Sequence, residues 1–365
     1  MKKELTGWLK VALLGLSLLA TFPVAAQQNK QDARDKGQRA IRMMDEEHKY
    51  DEAIRLLEES AKLDPSDITY PYEVAYAYYA QEKYAQAITQ LIPLKSRPDV
   101  MARVYQLLGN SYDMNKQGSK AMEVYEEGLK KFPASGEIYL ELGNMMAAAK
   151  NYSRAMEYFE GGIKADPAFP SNYYWAARLY LSSEEEVWGM LYGEIFMNLE
   201  RNSRRNDEIS KLLFNTYKSE ISLTSDTSMG VSFSRNVIVL NSKKDIKKLR
   251  IPFSSIYETD LLMSILSEKA IDLSSLDRIR QGFISMYYSK DQAKDYPNAL
   301  FDYEWRLKKA GHFEAYNYWL LRKGDDKAFE QWARNNGAKL QAFASWFKNN
   351  PLQLSKSNYF ISSQY

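Results

Sequence analysis

The chain holds two histidines, His48 and His312, and no cysteine among its 365 residues. That removes most of the side chains able to do covalent or metal chemistry. Without thiols there is no disulfide, no thiolate metal site and no cysteine nucleophile. Two separated histidines are too few for a transition-metal site or a histidine-based triad. No glycine-rich phosphate loop and no G-x-S-x-G elbow is present. Carboxylates are plentiful, and a glycosidase-type pair needs only to meet in space, so the sequence leaves that one chemistry open. The run Glu184-Glu185-Glu186 reads more simply as the acidic first turn of a helix, where the helix dipole favours negative charge. His48 reads as an exposed turn residue before Tyr50-Asp51-Glu52-Ala53, and His312, after Gly311, as an exposed residue at a helix start. The expectation is a protein that is not an enzyme and holds no metal or cofactor.

Recognition chemistry is better supplied, because 13% of the residues are aromatic. One concentration lies late in the chain: Phe301, Tyr303, Trp305, Phe313, Tyr316, Tyr318, Trp319, Phe329, Trp332, Phe343, Trp346 and Phe347. Exposed, such rings would stack on sugars or peptide side chains; at helical spacing they more often fill a core.

The element that must position the remaining candidates is a repeat. Ala53, Ala87, Ala121 and Ala155 each follow the last by 34 residues. Around them Tyr105, Leu108, Gly109, Tyr112, Ala121, Tyr125 and Pro133 recur as Tyr139, Leu142, Gly143, Met146, Ala155, Phe159 and Pro167. Looser copies precede them (Met44, Ala53, Leu57, Pro65, then Ala75, Tyr78, Ala87, Leu91), and a fifth follows through Tyr173, Ala177 and Tyr180. Gly189 and Gly193 stand in that fifth copy where Ala and an aromatic belong. Small residues at fixed offsets let two helices approach closely, while the large ones fill the space between hairpins. Asp64-Pro65 and Asp166-Pro167 stop second helices, since proline disfavours helical geometry in the residue before it.

The pattern resembles W-x2-L-G-x2-Y…A-x3-F…P, that of the tetratricopeptide repeat, over about half of the chain. The resemblance implies a mainly α fold: a right-handed helical solenoid of about five helix-turn-helix repeats, in a protein that binds a protein or peptide segment on its concave face. In that family the first helix of each repeat lines this face. The corresponding positions here are Arg42; Tyr72, Tyr76 and Tyr79; Arg103, Gln106, Asn110 and Asp113; Glu137, Leu140 and Asn144; and Tyr174 and Arg178. Asn110 and Asn144 fall where the family often bonds an extended peptide backbone. The lysines of the family's carboxylate clamp are absent, with Gln106 and Leu140 in one of those positions.

Residues 1–26 read as a signal peptide: Lys2 and Lys3, an apolar run from Val11 to Phe22, then Val24-Ala25-Ala26 before Gln27. With no cysteine behind it there is no lipobox, so the expectation is an exported periplasmic or secreted protein that is not a lipoprotein. No later stretch approaches the ~18 apolar residues of a membrane span. The 49 basic and 47 acidic residues lose three lysines and Glu4 with that segment, leaving a formally neutral chain without the basic excess of a nucleic-acid binder. The local cluster Lys243, Lys244, Lys247, Lys248 and Arg250 reads as a solvated linker.

The domain reading is residues 27–221 as repeats with a capping helix, then 222–365. A polar break at 201–206 precedes the capping helix, Asp207 to Ile221, with Ile209, Leu212, Leu213, Phe214 and Tyr217 inward. Beyond it, Val231-Ser232-Phe233 and Val237-Ile238-Val239-Leu240 predict a small β element. Helices are expected over 255–269, 274–288, 299–310, 312–322, 326–335 and 338–349, with Gly311, Gly324 and Gly337 as C-caps. Two further readings stay open: a carbohydrate-handling accessory protein or hydrolase working through the aromatic half, and a structural subunit of an envelope assembly.

Overall fold

The structure, a computed structural model, describes residues 5–225, 228–235 and 251–364. The fold is mainly α, with a tetratricopeptide-like helical repeat region and two short strands. The basic cluster at 243–250 and the run Val237–Leu240 lie outside the described residues. The chain forms two compact units, Met1–Pro133 and Ala134–Tyr365; the boundary read at residue 221 falls inside the second.

The first unit is three successive helix pairs: α1 (Leu5–Glu47) with α2 (Tyr50–Leu63), α3 (Thr69–Ala80) with α4 (Tyr84–Leu94), and α5 (Ala102–Met114) with α6 (Gly118–Lys131). Each pair packs on the next, α2 against α3 and α4 against α5. Ala53, Ala87 and Ala121 are fully buried, as the period requires. Gly109 is needed for close approach: a methyl group placed on it would overlap the Tyr125 ring from α6. The second unit begins with two more pairs, α7 (Gly136–Ala148) with α8 (Tyr152–Ala165) and α9 (Pro170–Tyr180) with α10 (Glu186–Leu199). There Gly143 makes room for the Phe159 ring in the same way.

The turns repeat as strictly as the core. His48, Glu82, Lys116 and Lys150 are non-glycine residues in the left-handed region, with φ of 55, 60, 60 and 60°. The first is exposed, as expected. Left-handed geometry costs an L-residue roughly 1–2 kcal/mol, and the hydrogen bonds that close the helix end offset it. Lys83, Gln117 and Asn151 donate their N–H to Tyr78, Tyr112 and Met146 carbonyls at 2.9, 2.8 and 2.9 Å.

After α10 comes α11 (Arg204–Glu220), then β1 (Ile221–Ser225) paired antiparallel with β2 (Ser228–Val231). Of the first expected run, 231–233, only Val231 is in a strand, and Ser222–Ser225, read as loop, is a strand. The backbone N–H groups of Phe233 and Ser234 donate to the Glu258 carboxylate at 2.6 and 2.8 Å, so a side chain takes the donors a strand would use there. The rest is helical: α12 (Phe253–Ile265), α13 (Leu273–Ser289), the single turn α14 (Gln292–Asp295), α15 (Ala299–Lys309), α16 (Phe313–Leu321), α17 (Asp326–Asn335) and α18 (Gly337–Asn349). Of the three glycines expected as caps, Gly311 alone is left-handed, at φ 76°. Gly324 instead lies where any side chain would collide with Phe214, and Gly337 is the first residue of α18.

One hydrophobic core runs through the second unit, from Ala155 and Phe159 on α8, through α9, α10 and α11, to Phe343, Phe347 and Phe360. The late aromatics are its substance. Phe301, Tyr303, Phe313, Tyr316, Tyr318, Trp332, Phe343 and Phe347 are buried, while Trp305, Trp319, Phe329 and Trp346 are half-buried against them. The polar break at 201–206 is part of this packing. Arg201 stacks 3.8 Å from the Phe347 ring centroid and donates to the Phe347 carbonyl at 2.6 Å. His312 is not the exposed residue expected: it is half-buried, 5.6 Å from the Trp346 ring.

Candidate functional site

In the first unit the first helices carry the candidate surface. Arg42 is exposed on α1. On α3 Tyr76 is 39% exposed, in a chain that buries most of its large rings, while Tyr72 is half-buried. Arg103 of α5 reaches across with its guanidinium 4.3 Å from the Tyr72 ring centroid and 3.8 Å from the Glu73 carboxylate. Its Nε–H also points to the Met101 sulfur at 3.0 Å. Burial pushes the Tyr72 phenol up to about 12, so it is a neutral hydroxyl at any physiological pH. Burial likewise raises the Glu73 carboxyl, Arg103 opposing the rise and Asp45 of α1 adding to it. The result is an exposed tyrosine beside a stacked cation, with a carboxyl beneath.

The remaining candidates divide. Gln106 is half-buried and Asp113 exposed on α5. Tyr79 turns edge-on to Tyr84, 5.5 Å between centroids, and so packs within its own hairpin. Asn110 accepts the Tyr125 hydroxyl, which gives it a structural duty. Asn144, Glu137 and Leu140 lie half-buried on α7 of the second unit. Also in that unit, Tyr174 is buried and donates to Glu208 at 2.6 Å; Arg178 lies 3.1 Å from Glu208 and 4.8 Å from the Trp175 ring centroid. Arg205 covers the Tyr174 ring at 4.9 Å. These two candidates therefore face α11. Reading by family position missed Glu73, Arg205 and Glu208. The period could have found the last, since Glu208 follows Tyr174 by 34 residues and α11 continues the phase as a further first helix.

A second polar assembly escaped sequence reading entirely. Within the core of the second unit Arg280 donates to both Glu194 oxygens at 2.9 and 2.6 Å, to Glu304 at 2.5 Å, to Asn317 at 2.7 Å and to Tyr217 at 3.0 Å. Tyr316 donates to Glu194 at 2.8 Å, and Asn198 to the Tyr316 hydroxyl at 2.6 Å. Two carboxyls share one guanidinium, and burial, then the neighbouring Glu194, push Glu304 well above the carboxylate range. The adjoining void is about 10 Å³, room for about one water, and the groups brace one another inside the core. A cleft of about 670 Å³ in this unit is polar and open; Asp302, Arg306, Gln353, Asn358 and Tyr359 are among its lining, which includes no tryptophan. Among the described residues no three His, Asp or Glu side chains converge to hold a metal ion, and no helix is long and apolar enough to cross a membrane.

Family comparison matches the tetratricopeptide repeat over residues 45–92 and again over 102–145. No curated protein matches the chain. Among solved structures it is similar to PilF of Pseudomonas aeruginosa, at 18% identity and TM-score 0.44 over 52% of this chain and 86% of that one. It is similar also to MamA of Desulfovibrio magneticus RS-1, at 21% identity and TM-score 0.37, over 48% of this chain and 97% of the other. A third is YrrB, described as a tetratricopeptide-repeat protein with an unusual peptide-binding site, at 17% and TM-score 0.34 over 50% and 94%.

Proposed function

Since this is a tetratricopeptide-repeat protein, and such repeats are protein-interaction scaffolds, we propose that it is an exported adaptor whose first-helix face on α3 and α5 takes an extended segment of a partner protein. The observation that carries the reading is Tyr76, exposed beside the Tyr72–Arg103 stack. Tyrosine and arginine dominate interface hot spots because each offers a broad apolar body with a polar tip. Glu73 beneath Arg103 holds that guanidinium in place before a partner arrives, which lowers the ordering cost of binding.

The test is a titration of a partner segment captured from envelope extracts. Tyr76→Ala with Arg103→Ala is expected to weaken it well over tenfold, a factor worth about 1.4 kcal/mol, with helical content unchanged. Equal affinity for the double variant would remove this face from the binding site. The near balance of basic and acidic residues adds that added salt changes the affinity only modestly.

Export belongs to the same proposal and rests on the basic start, the apolar run and Val24-Ala25-Ala26. The protein isolated from its natural host is expected to begin at or near Gln27. Intact-mass measurement retaining Met1 would exclude a cleaved signal.

A further inference from the structure

The second unit already holds one non-helical segment, its own, against its repeats. Residues 351–364 form no α-helix; they turn at 356–358 and again in a 3-10 turn, Ser362–Gln364. Their side-chain hydrogen bonds over 353–358 are local, as between Ser355 and Asn358. Leu352 is buried where the segment leaves α18, and the polar hold comes at Phe360 and Ser362. Phe360 is 2% exposed and stacks on Tyr192 of α10, 6.0 Å between centroids at 23°. Two residues on, the Ser362 N–H donates to the Tyr192 hydroxyl at 2.9 Å and to Glu160 Oε1 of α8 at 3.2 Å, and its Oγ lies 3.1 Å from the Tyr180 hydroxyl of α9. The same Glu160 oxygen accepts Tyr192 at 2.7 Å and Tyr180 at 3.0 Å.

That is the anatomy of a peptide site: an aromatic slot for one side chain, then main-chain and hydroxyl contacts two residues later. Tyr192 is itself braced edge-on by Tyr173 and Tyr180, at 6.0 and 5.7 Å, so the slot does not depend on its occupant for its walls. Glu160, Tyr180 and Tyr192 come from three helices of the fourth and fifth repeats, and none is among the concave-face positions discussed above.

We propose that the Glu160–Tyr180–Tyr192 site recognises a segment of a partner protein that carries an aromatic residue two positions before a serine or threonine. Phe360-Ile361-Ser362 occupies it in cis as a competitor that a partner displaces. The inference does not rest on the α3–α5 face, and either can fail alone. The chemistry of the partner follows from the occupant: a flat ring for the slot, a residue with a free N–H two places on, and a hydroxyl for Tyr180. A tethered segment competes at an effective concentration of order mM, so the intact chain should bind such a partner weakly until the tether is weakened.

The experiment uses the full chain and a fluorescent peptide with the sequence of residues 356–364 as probe, read by anisotropy. Phe360→Ala should bind the probe at least tenfold more tightly than the unaltered chain, because it disables the competitor and leaves the slot intact. A probe with alanine for its phenylalanine should lose at least tenfold on the same variant. If Phe360→Ala does not retain its helical spectrum, Ser362→Pro, which removes both the donated N–H and the hydroxyl beside Tyr180, serves instead with a gain in the same direction. Equal binding by folded variant and unaltered chain, or indifference to the probe's phenylalanine, would overturn the proposal. So would a concentration-dependent dimer of the unaltered chain that the probe disperses, since the occupant would then be a second copy.

Discussion

Arg280→Met is expected to destabilise the second unit by about 3–5 kcal/mol, the range for breaking a buried ion pair from one side. The guanidinium supplies donors to Glu194, Glu304, Asn317 and Tyr217 at once, and methionine fills its volume while supplying none. Glu194 keeps the Tyr316 and not the arginine bonds. A domain is stable by only about 5–15 kcal/mol, so the loss should be plain in urea unfolding followed by tryptophan fluorescence. Glu304→Gln should behave differently. Burial and Glu194 raise the Glu304 carboxyl well above its ordinary value of 4.5, so the folded protein retains a proton that the unfolded chain releases. Its contribution to stability is full below that ordinary value and is lost as pH rises toward the native one. Glutamine is neutral throughout and should flatten this part of the pH dependence. A pH profile identical in the two proteins would show that Glu304 ionises in the fold without penalty.

Tyr125→Ala is expected to cost the first unit about 3–5 kcal/mol, the usual price of removing a large buried ring. The ring is fully buried, fills the space above Gly109, and anchors Asn110 through its hydroxyl. Gly109→Ala alone should cost about 1–3 kcal/mol by overpacking. The two changes should not add, because deleting the ring makes room for the new methyl. A double-mutant cycle should show coupling of at least about 0.5 kcal/mol. Strict additivity of the two melts would mean that ring and glycine do not share the space assigned to them.

The difference between these two sites is also a difference in what a sequence displays. Gly109 with Tyr125 and Gly143 with Phe159 repeat at the same offset, so the period announces both, and the helix pairs follow. The late helices were equally legible, because Gly311 and the aromatic spacing mark real ends and faces. The Arg280 assembly carries no such mark: Glu194 and Arg280 stand 86 residues apart, Arg280 and Glu304 24. Each alone looks like an ordinary charged residue of a solvated helix face. A small β element was legible, but that Ser222–Ser225 is a strand and that Phe233 and Ser234 give their N–H groups to Glu258 was not, since that carboxylate is remote in sequence. At the candidate surface, family position found Tyr76 and the Tyr72–Arg103 stack. It could not foresee that Asn110 is occupied by Tyr125, or that Tyr174 and Arg178 are claimed by α11.

The continuous core of the second unit bears on how an array of this kind can change length. A solenoid ordinarily tolerates the gain or loss of whole units, because each touches only its neighbours and the ends are interchangeable caps. Here the fifth hairpin is not interchangeable. Its helix α10 presents Glu194 and Asn198 to Arg280 and Tyr316, side chains that no other repeat supplies. An extra 34-residue unit inserted after α10, or the fifth removed, would leave α13 and α16 facing a surface with no matching groups. Duplication or loss of a hairpin within the first unit asks nothing of that brace. The fifth hairpin is thus held in place and in number by groups outside the repeats.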